Sequence, residues 1–412
     1  MSTTATPSSA PRLVSLDALR GFDMFWILGA DALVVAFGAL TQFAPIRLLA
    51  AQLEHKEWEG FGFYDLIFPL FVFVVGVSAV FSLRAQLSRD SRGKIVGRIL
   101  RRAALLFLLG IFYNGGLTDP WPAVRIAGVL QRIAIAYAVT ALLFCYFKPR
   151  TLAVITAGLL LGYWALLTFV PIRAVQLDRA ALVQQMPGVT VDAEGYPDEA
   201  RVRTLFEQTT ARVTGHFDPG LNFANHLDYL YLPGTRYDHY YDPEGLLSTL
   251  PAVATCLLGV FAALLLQRID LTPIQKCRAL WLTGAGLLLL GWCWHHDLPV
   301  IKKLWTSSYV LVAGGWSFLL LGTFYFLIDV RGWQRWCRPF VWIGMNPITL
   351  YLLSSVVSFH AIAARLTGGS IQRWLDRHVV DGAGQVLVGA TALLLVFAIA
   401  RFLHARKIFL RV

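Results

Sequence analysis

The chain has 412 residues, 57% of them hydrophobic, with a mean hydropathy of +0.59 and a formal net charge of +11. Its apolar share lies above the ~45–50% of ordinary globular chains, which excludes a soluble domain and points to an integral membrane protein. The positive charge does not indicate nucleic acid, because the Lys and Arg residues gather at one end of successive apolar stretches, where topology and anionic lipid account for them.

Stretches long enough to cross a bilayer fall at 16–40, 61–84, 98–117, 124–147, 151–170, 246–267, 278–294, 305–328, 338–360 and 384–404. The expected fold class is all-α: a polytopic helical membrane bundle of about ten spans. Residues 1–14 are polar and read as a flexible cytoplasmic tail, and the first apolar stretch reads as a retained helix, not a signal peptide. The loop after the second stretch carries Arg84, Arg89, Arg92, Lys94, Arg98, Arg101 and Arg102 against one acid, Asp90, and every second loop repeats the bias. Basic short loops stay in the cytoplasm, so both termini are expected there, in the cell inner membrane. The chain then divides into an N-terminal membrane half (15–171) carrying the catalytic site, a periplasmic insertion (172–243) and a C-terminal membrane half (244–412), forming one integrated membrane domain.

Asp17, Arg20, Asp23 and Asp31 lie in or at the mouth of the first stretch. An ionisable group at the centre of a membrane helix costs roughly 2.5–3.5 kcal/mol, so such groups face a protein interior or a wet cavity. At about 100° per residue all four fall within about 60° of Arg20, on one helix face, and Arg20 and Asp31 are about 16 Å apart along the axis. The pattern predicts a tunnel wall.

His55 stands in the loop before the second stretch, with Asp65 just inside it. An imidazole suits proton removal near neutral pH, and a carboxylate on one ring nitrogen would fix its tautomer. Asp31 and Asp65 are both candidates for that partner. Gln131 and Arg132 are expected well inside the fourth span and Asn346 inside the ninth, where they either line a tunnel or bond helix to helix. Lys302, Lys303, Trp305 and Ser308 are expected at the outer mouth of the eighth span. His295, His296 and Asp297 invite a metal reading, but adjacent histidines on an interfacial loop are more often solvent-exposed, and the five cysteines have no close-spaced metal pattern. No metal is expected.

Several segments resemble one family. Ser15-Leu16-Asp17-Ala18-Leu19-Arg20-Gly21, His55-Lys56-Glu57-Trp58-Glu59-Gly60 and Asp65-Leu66-Ile67-Phe68-Pro69 are followed by Gly128-Val129-Leu130-Gln131-Arg132 and Tyr241-Asp242-Pro243-Glu244-Gly245-Leu246-Leu247-Ser248-Thr249. Lys302-Lys303-Leu304-Trp305-Thr306-Ser307-Ser308-Tyr309 and Gly344-Met345-Asn346-Pro347 complete the set. Together they are similar to the blocks of the heparan-α-glucosaminide N-acetyltransferase family, a branch of the transmembrane acyltransferases. The resemblance implies a bacterial-type member without the lumenal N-terminal region of the lysosomal enzymes, so heparan sulfate is not expected as its acceptor. It implies transfer of acetyl from cytosolic acetyl-CoA, as co-substrate, to glucosamine or a related amino sugar on the periplasmic side. His55 matches the family's catalytic histidine, and Asp31 stands where the lysosomal enzymes have an asparagine.

On that basis His55 and Asp31 are the expected catalytic pair. Arg20, Asp17, Arg101, Arg102, Gln131, Arg132 and Asn346 are expected around the acetyl-CoA, and Trp58, Asp65, Glu244, Lys302, Trp305 and Ser308 around the acceptor. Transfer is either direct, with His55 as base, or through an acetyl-imidazole. The rival reading is a permease for amino sugars or short glycans, with its intramembrane acids coupled to protons or ions. A homodimer is allowed for, with no face specified.

Overall fold

The computed structural model describes residues 13–118, 120–121 and 123–409. Helices dominate: α1 (Val14–Phe25), α2 (Asp31–Leu40), α3 (Ala44–Gln52), α4 (Phe63–Leu87), α5 (Arg92–Tyr113), α6 (Val129–Tyr146) and α7 (Pro149–Phe169). Next come β1 (Ile172–Arg173), α8 (Arg179–Gln185), α9 (Glu199–Gln208), β2 (Arg212–Val213) and α10 (Phe223–Tyr231), with β1 and β2 antiparallel. The rest is α11 (Thr249–Leu266), α12 (Pro273–Trp294), α13 (Ser307–Phe324), α14 (Arg338–Gly344), α15 (Pro347–Val356), α16 (Phe359–Thr367), α17 (Ser370–His378) and α18 (Ala383–Ala405). This is an all-α polytopic membrane bundle. Among the described residues eight helices are long and apolar enough to span a bilayer, or nine if α14 and α15, bent by 75°, count as one.

Three sequence expectations change. The stretch expected at 98–117 is a 22-residue helix, α5, but Arg92, Lys94, Arg98, Arg101 and Arg102 in its first half leave it short of the apolarity of the others. The first span is broken. A π-turn at Trp26–Ala30 holds Gly29 at φ +114°, outside helical space, and Asp31 begins α2 beyond it. The helical count from Arg20 to Asp31 stops there, so the four charges do not share one straight face. The ninth span also breaks, at Asn346, because Pro347 disfavours helical geometry in the residue before it.

The chain forms two compact units. Within the described residues the first comprises 13–51, Ile269–Leu282 and 318–409, and its α1 packs chiefly on α14. Two glycines permit this: a Cβ on Gly21 would collide with the Phe340 carbonyl, and one on Gly344 with the Asp17 carbonyl. The second comprises Gln52–Arg268 and Thr283–Ser317. There α4 is buried along most of its length, against α11 and α6. The segment 172–243 is largely folded, with Val175, Leu182, Val202, Phe206, Tyr229 and Tyr240 in a core of its own.

Candidate active site

The start of α4 builds the centre of the second unit. Asp65 is the third residue of that helix and its side chain is fully buried. Its Oδ2 accepts from the backbone N–H of Gly62 (3.0 Å) and Lys56 (3.4 Å), so it caps its own helix and ties down the loop before it. Its Oδ1 faces His55 Nδ1 at 2.9 Å and Lys302 Nζ at 3.4 Å. A carboxylate with these donors needs no further partner to be tolerated in the interior.

Asp65 Oδ1 is the natural acceptor for N–H groups of both His55 and Lys302, which in the neutral imidazole puts the proton on Nδ1 and the lone pair on Nε2. Half of the His55 side chain is exposed (52%), and its ring packs on Tyr64 at 4.6 Å. Lys302 Nζ also lies 3.0 Å from His55 Nδ1. Burial pushes the Lys302 ammonium below the ordinary lysine range, and the neighbouring Asp65 carboxylate works against that shift.

Pro69 adds a second constraint. It has no N–H to give the carbonyl four residues back, which is that of Asp65. Tyr309 of α13 supplies the missing donor, its hydroxyl reaching the Asp65 carbonyl oxygen at 2.7 Å. Val300 completes the frame by accepting from the Gly60 N–H at 2.8 Å, and Glu59 lies 3.5 Å from His295 Nε2. The His295–Asp297 segment is structural: His295 Nδ1 accepts from Val300 N–H and Asp297 accepts from the Trp164 indole. Among the described residues no group of three His, Cys, Asp or Glu is set to hold a metal ion.

The other expected residues distribute as follows. Trp58 is half-buried and donates to the Phe217 carbonyl at 2.7 Å. Trp305 and Ser308 are not at an open mouth: both are buried, Trp305 donating to Thr255 Oγ1 and Ser308 to the Pro299 carbonyl. Gln131 and Arg132 are in the first turn of α6, not deep within it, because the segment 124–128, which includes Arg125, precedes the helix instead of opening it. Arg132 is buried over the Trp305 ring (4.8 Å) and donates to the Pro243 carbonyl and Ser248 Oγ. Glu244 pairs with Arg125 at 3.0 Å, and burial drives its carboxyl above the usual range. Arg101 is exposed midway along α5, and Arg102 lies 4.8 Å over the Tyr137 ring with a buried Nε that has no partner among the described residues.

The remaining expected residues belong to the first unit. Arg20 Nη1 reaches Asp17 Oδ1 (3.3 Å) and the Gly344 carbonyl (3.1 Å), and Asn346 Nδ2 donates to the Ile408 carbonyl. Asp31 is half-buried at the start of α2. The carboxylate found on His55 is Asp65.

Sequence reasoning passed over Arg125, which holds Asp242 through two hydrogen bonds (3.1 and 3.0 Å) besides Glu244. The signal was available: Arg125 lies just before the Gly128–Arg132 motif and away from the basic loops that set topology.

Comparison with known proteins agrees with the motifs. Residues 12–179 match the model for the catalytic region of heparan-alpha-glucosaminide N-acetyltransferase. The chain is 30% identical over 376 residues to the heparan-alpha-glucosaminide N-acetyltransferase of Mus musculus, covering 84% of this chain and 53% of that protein. It is 30% identical over 380 residues to the Homo sapiens protein of the same name, covering 83% and 52%. The chain thus spans about half the length of the curated relatives it matches. Its motifs, its membrane bundle and these matches agree in likening the chain to the heparan-alpha-glucosaminide N-acetyltransferase family.

Proposed function

We propose that the protein is a transmembrane N-acetyltransferase that moves acetyl from cytosolic acetyl-CoA to the amine of glucosamine or a related amino sugar on the periplasmic side, with His55 as general base. The observation that carries this reading is the 2.9 Å contact of His55 Nδ1 with the buried Asp65 carboxylate, which leaves Nε2, 3.5 Å from Lys302 Nζ, as the ring nitrogen with a lone pair. His55 takes a proton from the sugar amine as the amine attacks the thioester carbonyl. The new C–N bond forms, the C–S bond breaks, and the proton passes to the departing thiolate. Asp65 stabilises the imidazolium that exists between the two proton transfers.

The positive ends of the spans support a cytoplasmic entrance for acetyl-CoA. Arg101 and the orphaned Nε of Arg102 are the kind of donors that CoA phosphates take. Lys302 Nζ, 3.4 Å from Asp65 Oδ1, supplies a second donor that holds the carboxylate in place beside the base.

The test is acetyl transfer from labelled acetyl-CoA to glucosamine by purified wild type and His55→Ala, with CoA binding measured on both. The expected result is transfer by the wild type, and CoA binding without transfer by the variant. Full activity in His55→Ala would remove the base, and no transfer to any amino sugar by the wild type would remove the reading itself.

A further inference from the structure

A cavity of about 510 Å³ lies within the second unit, between α6, α7 and α11 and the start of the 244–250 segment. Pockets for small ligands run to ~300–1,000 Å³, so its size alone is ordinary. Its shape and lining are not. Along α6 it runs from Gln131 to Leu143, about 18 Å at helical rise. Apart from one end, its walls are apolar, and Ile135, Val139 and Leu250 on its rim are exposed on membrane-spanning helices. It therefore opens sideways to the hydrocarbon of the bilayer.

The polar end is built and unfinished. Gln131 is 2% exposed, and neither its amide oxygen nor its nitrogen has a partner among the described residues. Arg132, 1% exposed, uses Nη2 but leaves Nε and Nη1 unpaired. Glu244 closes the same end. Buried amides and guanidinium groups left without partners each cost free energy that a ligand can recover. An amide, a guanidinium and a carboxylate together fit a sugar that carries hydroxyls and an ammonium. This end borders the reaction centre: Arg132 sits on the ring of Trp305, three residues after Lys302, and Glu244 acts electrostatically on Lys302.

We infer that the acceptor is an amino sugar attached to a lipid, with its hydrocarbon chain in this lateral cavity and its sugar against Gln131, Arg132 and Glu244. The inference rests on the acetyl-transfer reading above and names the form in which that acceptor arrives. A membrane-borne acceptor reaches the site by moving in the plane of the bilayer, and its chain supplies binding energy that a free sugar lacks.

The test compares two acceptors, methyl glucosaminide and dodecyl glucosaminide, with protein held in lipid nanodiscs. The quantity read is the ratio of their kcat/KM values within one preparation, which misfolded protein does not alter. Wild type should prefer the dodecyl compound by about tenfold or more. Ile135→Trp and Val139→Phe, which fill the cavity, should collapse that preference. Partition of the dodecyl chain into the bilayer is common to all three proteins, so only the change in ratio reports the cavity. A preference that survives both substitutions, or no preference in the wild type, overturns the inference. If neither compound is acetylated, the acetyl-transfer reading falls and the cavity is judged by direct binding of radiolabelled dodecyl glucosaminide. Saturable binding weakened by Ile135→Trp upholds it, and binding absent or unchanged by the substitution rejects it.

Discussion

Asp65 Oδ1 lies 2.9 Å from His55 Nδ1, while the other oxygen of the same carboxylate caps the helix on which it sits. One side chain thus orients the imidazole and starts α4. Asp65→Asn keeps the shape but loses the charge, and its amide offers the imidazole a donor as readily as an acceptor. Acetyl transfer should fall by about 10²-fold or more, with CoA binding kept. Asp65→Ala should in addition lower stability by about 1 kcal/mol for the lost cap. Wild-type turnover in Asp65→Asn would detach the carboxylate from catalysis.

Lys302 Nζ lies 3.0 Å from His55 Nδ1 and 3.4 Å from Asp65 Oδ1, so its substitution separates charge from bulk. Lys302→Met takes a charged donor from the buried Asp65 carboxylate, and acetyl transfer should fall by about tenfold or more, with CoA binding kept. Lys302→Arg, which keeps the charge, should recover part of that loss. Equal turnover in Lys302→Met and wild type would show that the ammonium has no electrostatic role.

Two buried groups on α10 give opposite pH dependences. Burial raises the Asp228 carboxyl to about 7, against about 4 when unfolded. Between those values the folded state binds the extra proton, so this group makes stability fall as pH rises. Burial lowers His226 to about 4, against about 6.5 when unfolded. In that window the unfolded state binds the extra proton, so stability rises with pH. The two trends offset each other in the wild type. Asp228→Asn should unmask the rising trend between about pH 4 and 6.5, read as the midpoint of thermal unfolding in detergent. A midpoint as flat as that of the wild type would contradict both assignments.

Arg125 neutralises Asp242, whose side chain is fully buried, and Glu244. Arg125→Met strands two carboxylates and should destabilise the protein by about 3 kcal/mol. Adding Asp242→Asn should recover part of that loss, the sign of direct coupling in a double-mutant cycle. Additive losses in the double variant would mean that the pair does not interact.

Much of this was legible in the sequence, and the misses have physical causes. The spans follow from apolar length, and His55 and Asp65 are ten residues apart on either side of a glycine-rich turn, so local spacing brings them together. Lys302 reaches the same carboxylate from more than two hundred residues away, and no local pattern encodes that approach. The break at Gly29 was hidden because a hydropathy window gives glycine no conformational meaning. Asn346-Pro347 did carry a stop signal, but apolar neighbours on both sides outvoted it. The depth of Gln131 and Arg132 was misread because Val124, Ile126 and Ala127 extend the apolar stretch on the N-terminal side of α6 without being helical. The family glycines Gly21 and Gly344 acquire their meaning only from the contact of two backbones.

The bond from Tyr309 to the Asp65 carbonyl spans 244 residues of sequence. Because Pro69 cannot close the first turn of α4, that carbonyl stays open in the nascent chain until α13 is synthesised and docks beside it. Lys302 arrives with the same late segment. During biosynthesis, then, the early spans enter the bilayer with His55 and Asp65 already side by side, and the Asp65 carbonyl and carboxylate gain their last donors, Tyr309 and Lys302, at one late step of assembly.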